Sequence, residues 1–144
     1  MTYNEENRGR FQHPARARQL ILYDELNLPE KITPTDIDLF VESRKENRMA
    51  VIEFKFKDAD LPDGQKYAFT DMVNVYERAG KEAVFAVCRH DVENPNKDVL
   101  ARDAVVSLFY WKRRWHTVNG PNLKCGQFLK SYFRVSEHED NRQT

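Results

Sequence analysis

The stretch Met49–Asp58, "MAVIEFKFKD", decides the fold because apolar residues recur in it at every second position. Successive side chains of a strand point to opposite faces, so this pattern predicts a β-strand with two different faces. The apolar face holds Ala50, Ile52, Phe54 and Phe56. The mixed face holds Val51, Glu53, Lys55 and Lys57. An edge strand with one solvated face would account for Glu53 and Lys55; the neighbouring segments suggest a chemical use for them.

The composition is that of a globular protein. The chain has 144 residues, 40 % hydrophobic and 32 % charged, enough for one domain with a core. The formal net charge is +0, but Ala104–Ser136 contains six basic residues and no acid, whereas Asp24–Asp63 contains eleven acids and six basic residues. Such a separation allows cations to bind in one region and phosphates in another.

Cysteine usage and the N-terminus bear on the compartment. Cys88 and Cys125 lie far apart in sequence, which argues against a disulfide scaffold or a structural zinc site and favours a reducing cytoplasm. Cys88 lies in an apolar run and is predicted to be in the core. The opening "MTYNEENRGR" is too polar for a signal peptide, and the apolar runs are too short to span a membrane. We expect a cytoplasmic protein with no membrane partner.

The N-terminal half predicts an arm, a helix and a hairpin. Residues 1–14 are polar and are expected to be flexible. Ala15–Leu28 has helix-forming residues with apolar side chains at helical spacing, and a proline follows. Lys31–Ser43 alternates as a strand does, and the polar turn 43–48 joins it to the strand that carries Glu53. Such neighbours usually form an antiparallel hairpin.

The middle of the chain predicts a crossover. The segment Gln65–Gly80 places apolar residues on one helical face and ends with a glycine suited to a C-terminal cap. The continuous apolar run Glu82–Asp91 is typical of a strand buried on both faces. A strand, a crossover helix and a buried strand predict a mixed sheet with helices packed on it, an α/β fold.

The C-terminal part completes this single domain, predicted over residues 15–135. Ala104–Val118 is expected to form a second hairpin that turns near Arg113, and Gly126–Val135 a closing helix. Residues 136–144 are expected to be a frayed tail.

Two short motifs carry a family resemblance. An aspartate lies in "PTDID" (34–38) on the first strand, and an acid-x-Lys motif, "EFK" (53–55), lies on the second. This arrangement resembles the PD-(D/E)xK nuclease superfamily, including small RecB-like and resolvase-like enzymes. The resemblance implies the restriction-endonuclease-like core, ordered αβββαβ, over about Ala15–Asp91.

The residue types suit phosphodiester hydrolysis, which needs an activated water and a neutraliser for charge on the phosphorus oxygens. Asp38 and Glu53 on adjacent strands would hold Mg²⁺ or Mn²⁺, since hard cations prefer carboxylate oxygens. Without a cation the carboxylates would repel each other. Lys55 would orient or help deprotonate the water and stabilise the transition state. By resemblance, the backbone carbonyl of Phe54 is a further ligand.

Three further positions follow from the resemblance. Asp36 points the same way as Asp38 and is the alternative ligand. Gln65 matches the first position of the Gln-xxx-Tyr motif of RecB-like members, with Phe69 in place of the tyrosine. Glu25 lies where some resolvase-like members place an additional acidic ligand; a solvated helix residue is the alternative interpretation.

A basic aromatic segment, "FYWKRRWHTV", indicates a nucleic-acid contact. Aromatic rings stack on unpaired bases and cations contact phosphates. The candidate residues are Tyr110, Trp111, Lys112, Arg113 and Arg114. A hairpin with core aromatics and a solvated basic turn is the alternative.

The predicted function is therefore a Mg²⁺-dependent nuclease acting on nucleic acid, most simply DNA, and encoded by a phage or mobile element. A junction-cutting enzyme of this kind would be a homodimer, because it must cut two strands. The alternatives are a catalytically inactive restriction-like module that binds nucleic acid or assembles with a partner, and an unrelated interaction module.

Overall fold

The computed structural model describes residues 14–32 and 34–136, so nearly all of the predicted arm (1–14) and tail (136–144) lies outside the described residues. The chain divides into two compact units, 1–34 and 35–144. The predicted single domain 15–135 crosses that division.

The first unit does not form the helix predicted over Ala15–Leu28. Its described residues contain only α1 (Pro14–Ala17) and a 3-10 turn (Asp24–Leu26), and this turn is followed by Asn27 in the left-handed region with φ of 53°. Leu20 and Leu22 are 85 % and 75 % exposed. Short helices in proteins depend on burial of an apolar face, and these leucines bury none. The prediction was wrong because it weighed helix propensity without packing.

The second unit is a five-stranded mixed sheet with one helix on each face. The strands are β1 (Leu39–Ser43), β2 (Arg48–Phe56), β3 (Glu82–His90), β4 (Val105–Trp111) and β5 (Arg114–Thr117). The helices are α2 (Asp63–Arg78), which connects β2 to β3, and α3 (Cys125–Tyr132). The strands lie in sequence order; β2 and β3 are parallel, and the other neighbours are antiparallel.

This order confirms the mixed α/β class, the first hairpin and the crossover helix. It differs from αβββαβ, because the described residues before α2 form two strands and not three. The predicted strand Lys31–Ser43 begins only at Leu39.

Both faces of β2 and β3 are buried, and this creates two cores. Under α2, alternate residues of the strands pack with Phe69 and Val73. Under α3, the other set packs with Cys125 and Ala104. The prediction for β3 is confirmed, as is the core position of Cys88. The edge-strand interpretation of β2 is wrong: β1 covers its other side, and Glu53 is only 4 % exposed.

The second hairpin turns at Lys112 and Arg113, as predicted. These residues have φ of 50° and 61°, and Trp111 pairs with Arg114 across them. Two consecutive residues with positive φ form the kind of turn that matches the twist of a two-residue hairpin. Within the described residues, no helix is long and apolar enough to cross a membrane.

Gly80 ends α2 in the predicted manner. Its φ is +85°, its N–H donates to the carbonyl of Glu77 at 3.0 Å, and the next N–H, of Lys81, donates to Tyr76 at 3.1 Å. Glycine adopts this conformation without the steric cost that a Cβ atom imposes.

Two glycine substitutions should therefore have opposite effects on stability. Gly80→Ala should lower the free energy of unfolding by about 1–2 kcal/mol, because alanine is strained at positive φ. Gly64→Ala, in the first turn of α2, meets no atom within 4 Å and should raise it by about 0.4–1 kcal/mol. Urea titration of both variants measures this. Equal effects of the two substitutions would contradict the role of Gly80.

Candidate metal and catalytic site

Asp38 extends the β1–β2 ladder with its side chain. Leu39, the first residue of β1, pairs with Ile52 at the end of the ladder. Beyond it, the Asp38 Oδ2 accepts a hydrogen bond from the backbone N–H of Phe54 at 2.9 Å. Opposite residues of antiparallel strands share a face, so this places the Asp38 carboxylate on the face that carries Glu53. The hairpin brings the two acids together as predicted.

Glu53, Lys55 and Gln65 form a connected group on the α2 face. The Gln65 Nε2 donates to the Glu53 Oε1 at 3.1 Å, and the Gln65 Oε1 accepts from the Lys55 Nζ at 3.0 Å. The Lys55 Nζ also lies 3.4 Å from the Glu53 Oε1. Gln65 is in the first turn of α2, so the helix start delivers the amide to the end of β2. One amide thus holds both charged side chains.

The second oxygen of Glu53 is left without a partner. The Oε2 is buried and accepts no hydrogen bond among the described residues. Burial raises the pKa of the Glu53 carboxyl, the Asp38 charge raises it further, and Lys55 offsets part of the rise. Buried acceptors are normally satisfied, so a carboxylate oxygen without a donor, beside a second carboxylate, suits the binding of a cation.

The donor set fits a hard divalent ion. Asp38 and Glu53 offer carboxylate oxygens. The N–H and C=O of one strand residue point to the same side, so the Phe54 carbonyl faces the same edge as its N–H, toward Asp38. Within the described residues, no group of three or more His, Cys, Asp or Glu side chains could hold a metal. Water would therefore supply the remaining positions, as Mg²⁺ usually requires.

The other predicted ligands lie on different segments of the chain. Asp36 is exposed in the segment that precedes β1, and Asp38 is the aspartate that binds to β2. Glu25 is exposed in the 3-10 turn of the first unit, and its role stays a prediction. Phe69, at the expected tyrosine position, packs against Phe85 with ring centroids 4.9 Å apart. A hydroxyl there would enter the core, which explains the apolar residue.

The basic aromatic hairpin fits the alternative interpretation, core aromatics beside a solvated basic turn, and its contact with nucleic acid stays a prediction. Tyr110 is buried, and its hydroxyl donates to the Asn74 Oδ1 at 2.9 Å, so its ring is not available to stack on a base. Trp111 packs against the core under α3. Lys112, Arg113 and Arg114 are exposed.

The basic turn also lies far from the carboxylates. Trp111 pairs with Val84 near the start of β3, whereas Lys55 pairs with Arg89 near its end. Five residues of strand separate these levels by about 16 Å. The turn is therefore no part of the carboxylate site.

Arg89 is a residue of this site that the sequence interpretation missed. It is the register neighbour of Lys55, its Nη1 donates to the carbonyls of Lys57 and Ala59 at 2.9 and 2.7 Å, and its Nε donates to the Ser107 Oγ at 3.2 Å. These bonds anchor the connection between β2 and α2. An arginine inside the apolar run Glu82–Asp91 was the available signal.

No protein-family model matches the chain, and neither a curated protein nor a solved structure matches it.

The raised pKa of Glu53 gives a pH-dependent prediction for the metal-free protein. The folded state holds the Glu53 proton more tightly than the unfolded chain does, so stability should fall as pH rises from about 4.3 through the raised pKa. Glu53→Gln cannot ionise and should escape this loss. The free energy of unfolding of the variant, minus that of the wild type, should increase from about pH 4 to 7. Urea titrations in EDTA measure it, and parallel pH curves would contradict the pKa shift.

Proposed function

We propose that this chain is a divalent-metal-dependent nuclease of the PD-(D/E)xK type that hydrolyses phosphodiester bonds in nucleic acid, DNA above all. The observation that carries the proposal is the convergence of Asp38, Lys55 and Gln65 on Glu53, whose second carboxylate oxygen is buried without a partner among the described residues. Four residues chosen from two short motifs and a helix start meet in space, and each has a chemical task in this reaction.

Asp38, Glu53 and the Phe54 carbonyl would hold Mg²⁺ or Mn²⁺. The ion would supply positive charge for the phosphorus oxygens and lower the pKa of a water molecule. Asp38 is pre-positioned for this task, because its Oδ2 bond to the Phe54 N–H fixes the carboxylate beside the strand. Glu53 is fixed through the Gln65 amide, which leaves the Oε2 free.

Lys55 would act on the attacking water and on the charge of the transition state. Its ammonium group is held by the Gln65 Oε1 and lies beside Glu53, so two acceptors fix its position. An ammonium has three N–H donors, and the third can meet water or a phosphate oxygen. Fixed donors stabilise developing charge without reorganisation during the reaction.

A structural role explains this arrangement less well. Replacing a buried ion pair by apolar residues is often neutral or stabilising, and an acid beside another acid adds repulsion. The protein retains these groups inside a sheet whose other buried positions are almost all apolar. Such local violations of packing rules are concentrated at functional sites.

The substrate and assembly remain as the sequence predicts them: nucleic acid as the partner, a homodimer if the substrate is a junction, and a cytoplasmic location. Cys88 and Cys125 are both free and buried, as a reducing compartment would leave them.

A second candidate is a catalytically inactive restriction-like module that binds nucleic acid. The ion pair between Lys55 and Glu53 favours it, since the lysine already neutralises part of the acidic charge. In that case the site would be a remnant that binds no cation. Metal dependence separates the two candidates.

Cleavage is the direct test of the nuclease proposal. Wild-type protein with Mg²⁺ or Mn²⁺ should cut plasmid, single-stranded or branched DNA, EDTA should stop it, and Lys55→Ala should reduce the rate by at least about a hundredfold. The matched control is Lys97→Ala, an exposed lysine outside the site. Cleavage that persists in Lys55→Ala would assign the activity to other residues.

Metal binding should also be visible as stability. Mg²⁺ or Mn²⁺ at 100 times its dissociation constant should raise the free energy of unfolding by about 2.7 kcal/mol, because it binds the native state alone. Asp38→Asn and Glu53→Gln should abolish the increase, and Lys55→Ala should keep it. Glu42→Gln, an exposed acid of β1, serves as the control. A full increase in both site variants would place the cation elsewhere.

A further inference from the structure

A cavity of about 460 Å³ lies at the carboxyl ends of the parallel strands β2 and β3. Ligands of open α/β sheets bind in this position, outside the carboxyl ends of the strands. Its walls combine apolar side chains, including Val99, Leu100 and Val105, with the polar groups of His90, Asp91 and Asp98. A volume of about 300–1,000 Å³ is typical of small-molecule sites.

The cavity adjoins the candidate catalytic group. Arg89 lines it and is the register neighbour of Lys55, and Lys57, the residue that follows β2, lines it as well. The backbones of neighbouring strands lie about 4.8 Å apart, so a wall residue of the cavity lies on the strand next to Lys55. A nucleic acid cut at Lys55 would place an adjoining nucleotide at this opening.

The charges of the walls disfavour a phosphate. The Arg89 Nη1 is bonded to two backbone carbonyls, and the Lys57 Nζ lies 2.7 Å from a Glu93 carboxylate oxygen. Asp91 and Asp98 make no hydrogen bond or ion pair within the described residues, so their oxygens are open acceptors. The walls carry three aspartates against the two cations Lys57 and Arg89, so they offer more open acceptors to a donor than open cationic groups to an anion.

His90 adds a donor to this set. Its Nδ1 accepts the backbone N–H of Val92 at 3.2 Å, so the neutral ring carries its proton on Nε2. The cavity thus combines apolar walls, carboxylate acceptors and an imidazole. That combination suits a flat, uncharged heteroaromatic ring with amino groups on its edge.

We propose that this cavity, the base pocket, binds the nucleobase of the nucleotide that adjoins the scissile bond, and prefers bases with an exocyclic amino group. Adenine, guanine and cytosine present such an amino donor, and thymine and uracil do not. A base stacked in a duplex cannot enter a cavity, so the substrate is single-stranded there or has one nucleotide turned out. The placement beside the scissile bond rests on the proposed nuclease function.

The first experiment measures binding to the full chain without metal. Adenosine, guanosine, cytidine, thymidine and inorganic phosphate are titrated while backbone amide NMR signals are followed. The amino-bearing nucleosides should shift His90, Val99 and Leu100, thymidine should bind about tenfold more weakly, and phosphate should leave these signals unchanged. Stronger binding of phosphate than of any nucleoside would overturn the proposal.

Variants locate the ligand. Val99→Trp should fill the pocket and abolish nucleoside binding, whereas Val75→Trp, the same change at an exposed position of α2, should not. Asp98→Asn should weaken the binding of the amino-bearing nucleosides and leave the binding of thymidine unchanged. Undiminished binding in Val99→Trp would place the ligand outside the pocket.

Cleavage of oligonucleotides distinguishes a polymer from a free nucleotide. A single abasic residue is moved through each position around the cut in single-stranded DNA. At one position the abasic residue should lower kcat/KM about tenfold in wild-type protein. In Val99→Trp, whose pocket is already filled, the abasic residue at that position should cause no further loss of kcat/KM. Nucleoside binding without such a position would overturn the placement and leave a free nucleotide as the ligand. Nucleoside binding without any cleavage would refute the proposed nuclease and keep the base pocket. Cleavage without nucleoside binding, and without a loss of rate at any abasic position, would refute the base pocket alone.

Discussion

Burial of β2 and β3 on both faces is the constraint on which the second unit depends. The parallel pair lies in the middle of the sheet, with α2 on one face and α3 on the other, so alternate residues enter different cores. Nearly every side chain in the first part of these strands is apolar and fully buried. Polar side chains then lie toward the ends of the strands, with the ion pair of Arg48 and Glu82 at the amino ends and the candidate catalytic group where the buried apolar run stops. Glu53 and Lys55 lie at that boundary.

The boundary position explains the electrostatics of the candidate site. Glu53 is deep enough to be desolvated, and Asp38 approaches it from the neighbouring strand, so the ionised form is disfavoured from two sides. Lys55 and the Gln65 amide stabilise the ionised form of Glu53 in part, but both contact the same carboxylate oxygen, Oε1. The site keeps an acceptor that the fold itself does not satisfy. A divalent cation is the partner that would satisfy both acids at once.

The sheet has two ends of different chemistry. The end with the start of β3 carries the basic turn of the second hairpin, and the opposite end carries the carboxylates, Arg89 and the cavity. Arg89 uses its donors on backbone carbonyls of the β2–α2 connection and so stabilises the segment that leads to Gln65. A substrate that met both ends would run along the strands. The proposed nuclease and base pocket need the carboxylate end alone.

The sequence by itself determined the strands β2 and β3, the helix α2, its glycine end and both hairpins, because period-two and helical patterns, turn residues and glycine act locally. It also placed an aspartate beside Glu53, since a short polar turn leaves an antiparallel pair as the simplest arrangement, but Asp36 and Asp38 stayed alternatives until the bond of Asp38 to β2 separated them. Tertiary structure decided what depends on distant partners. The chain does not form the helix predicted over Ala15–Leu28, where Leu20 and Leu22 stay largely exposed, and Tyr110 lies in the core. Tertiary structure brought Gln65 and Arg89 to the end of β2, because only the parallel crossover sets the start of α2 and the end of β3 beside Lys55.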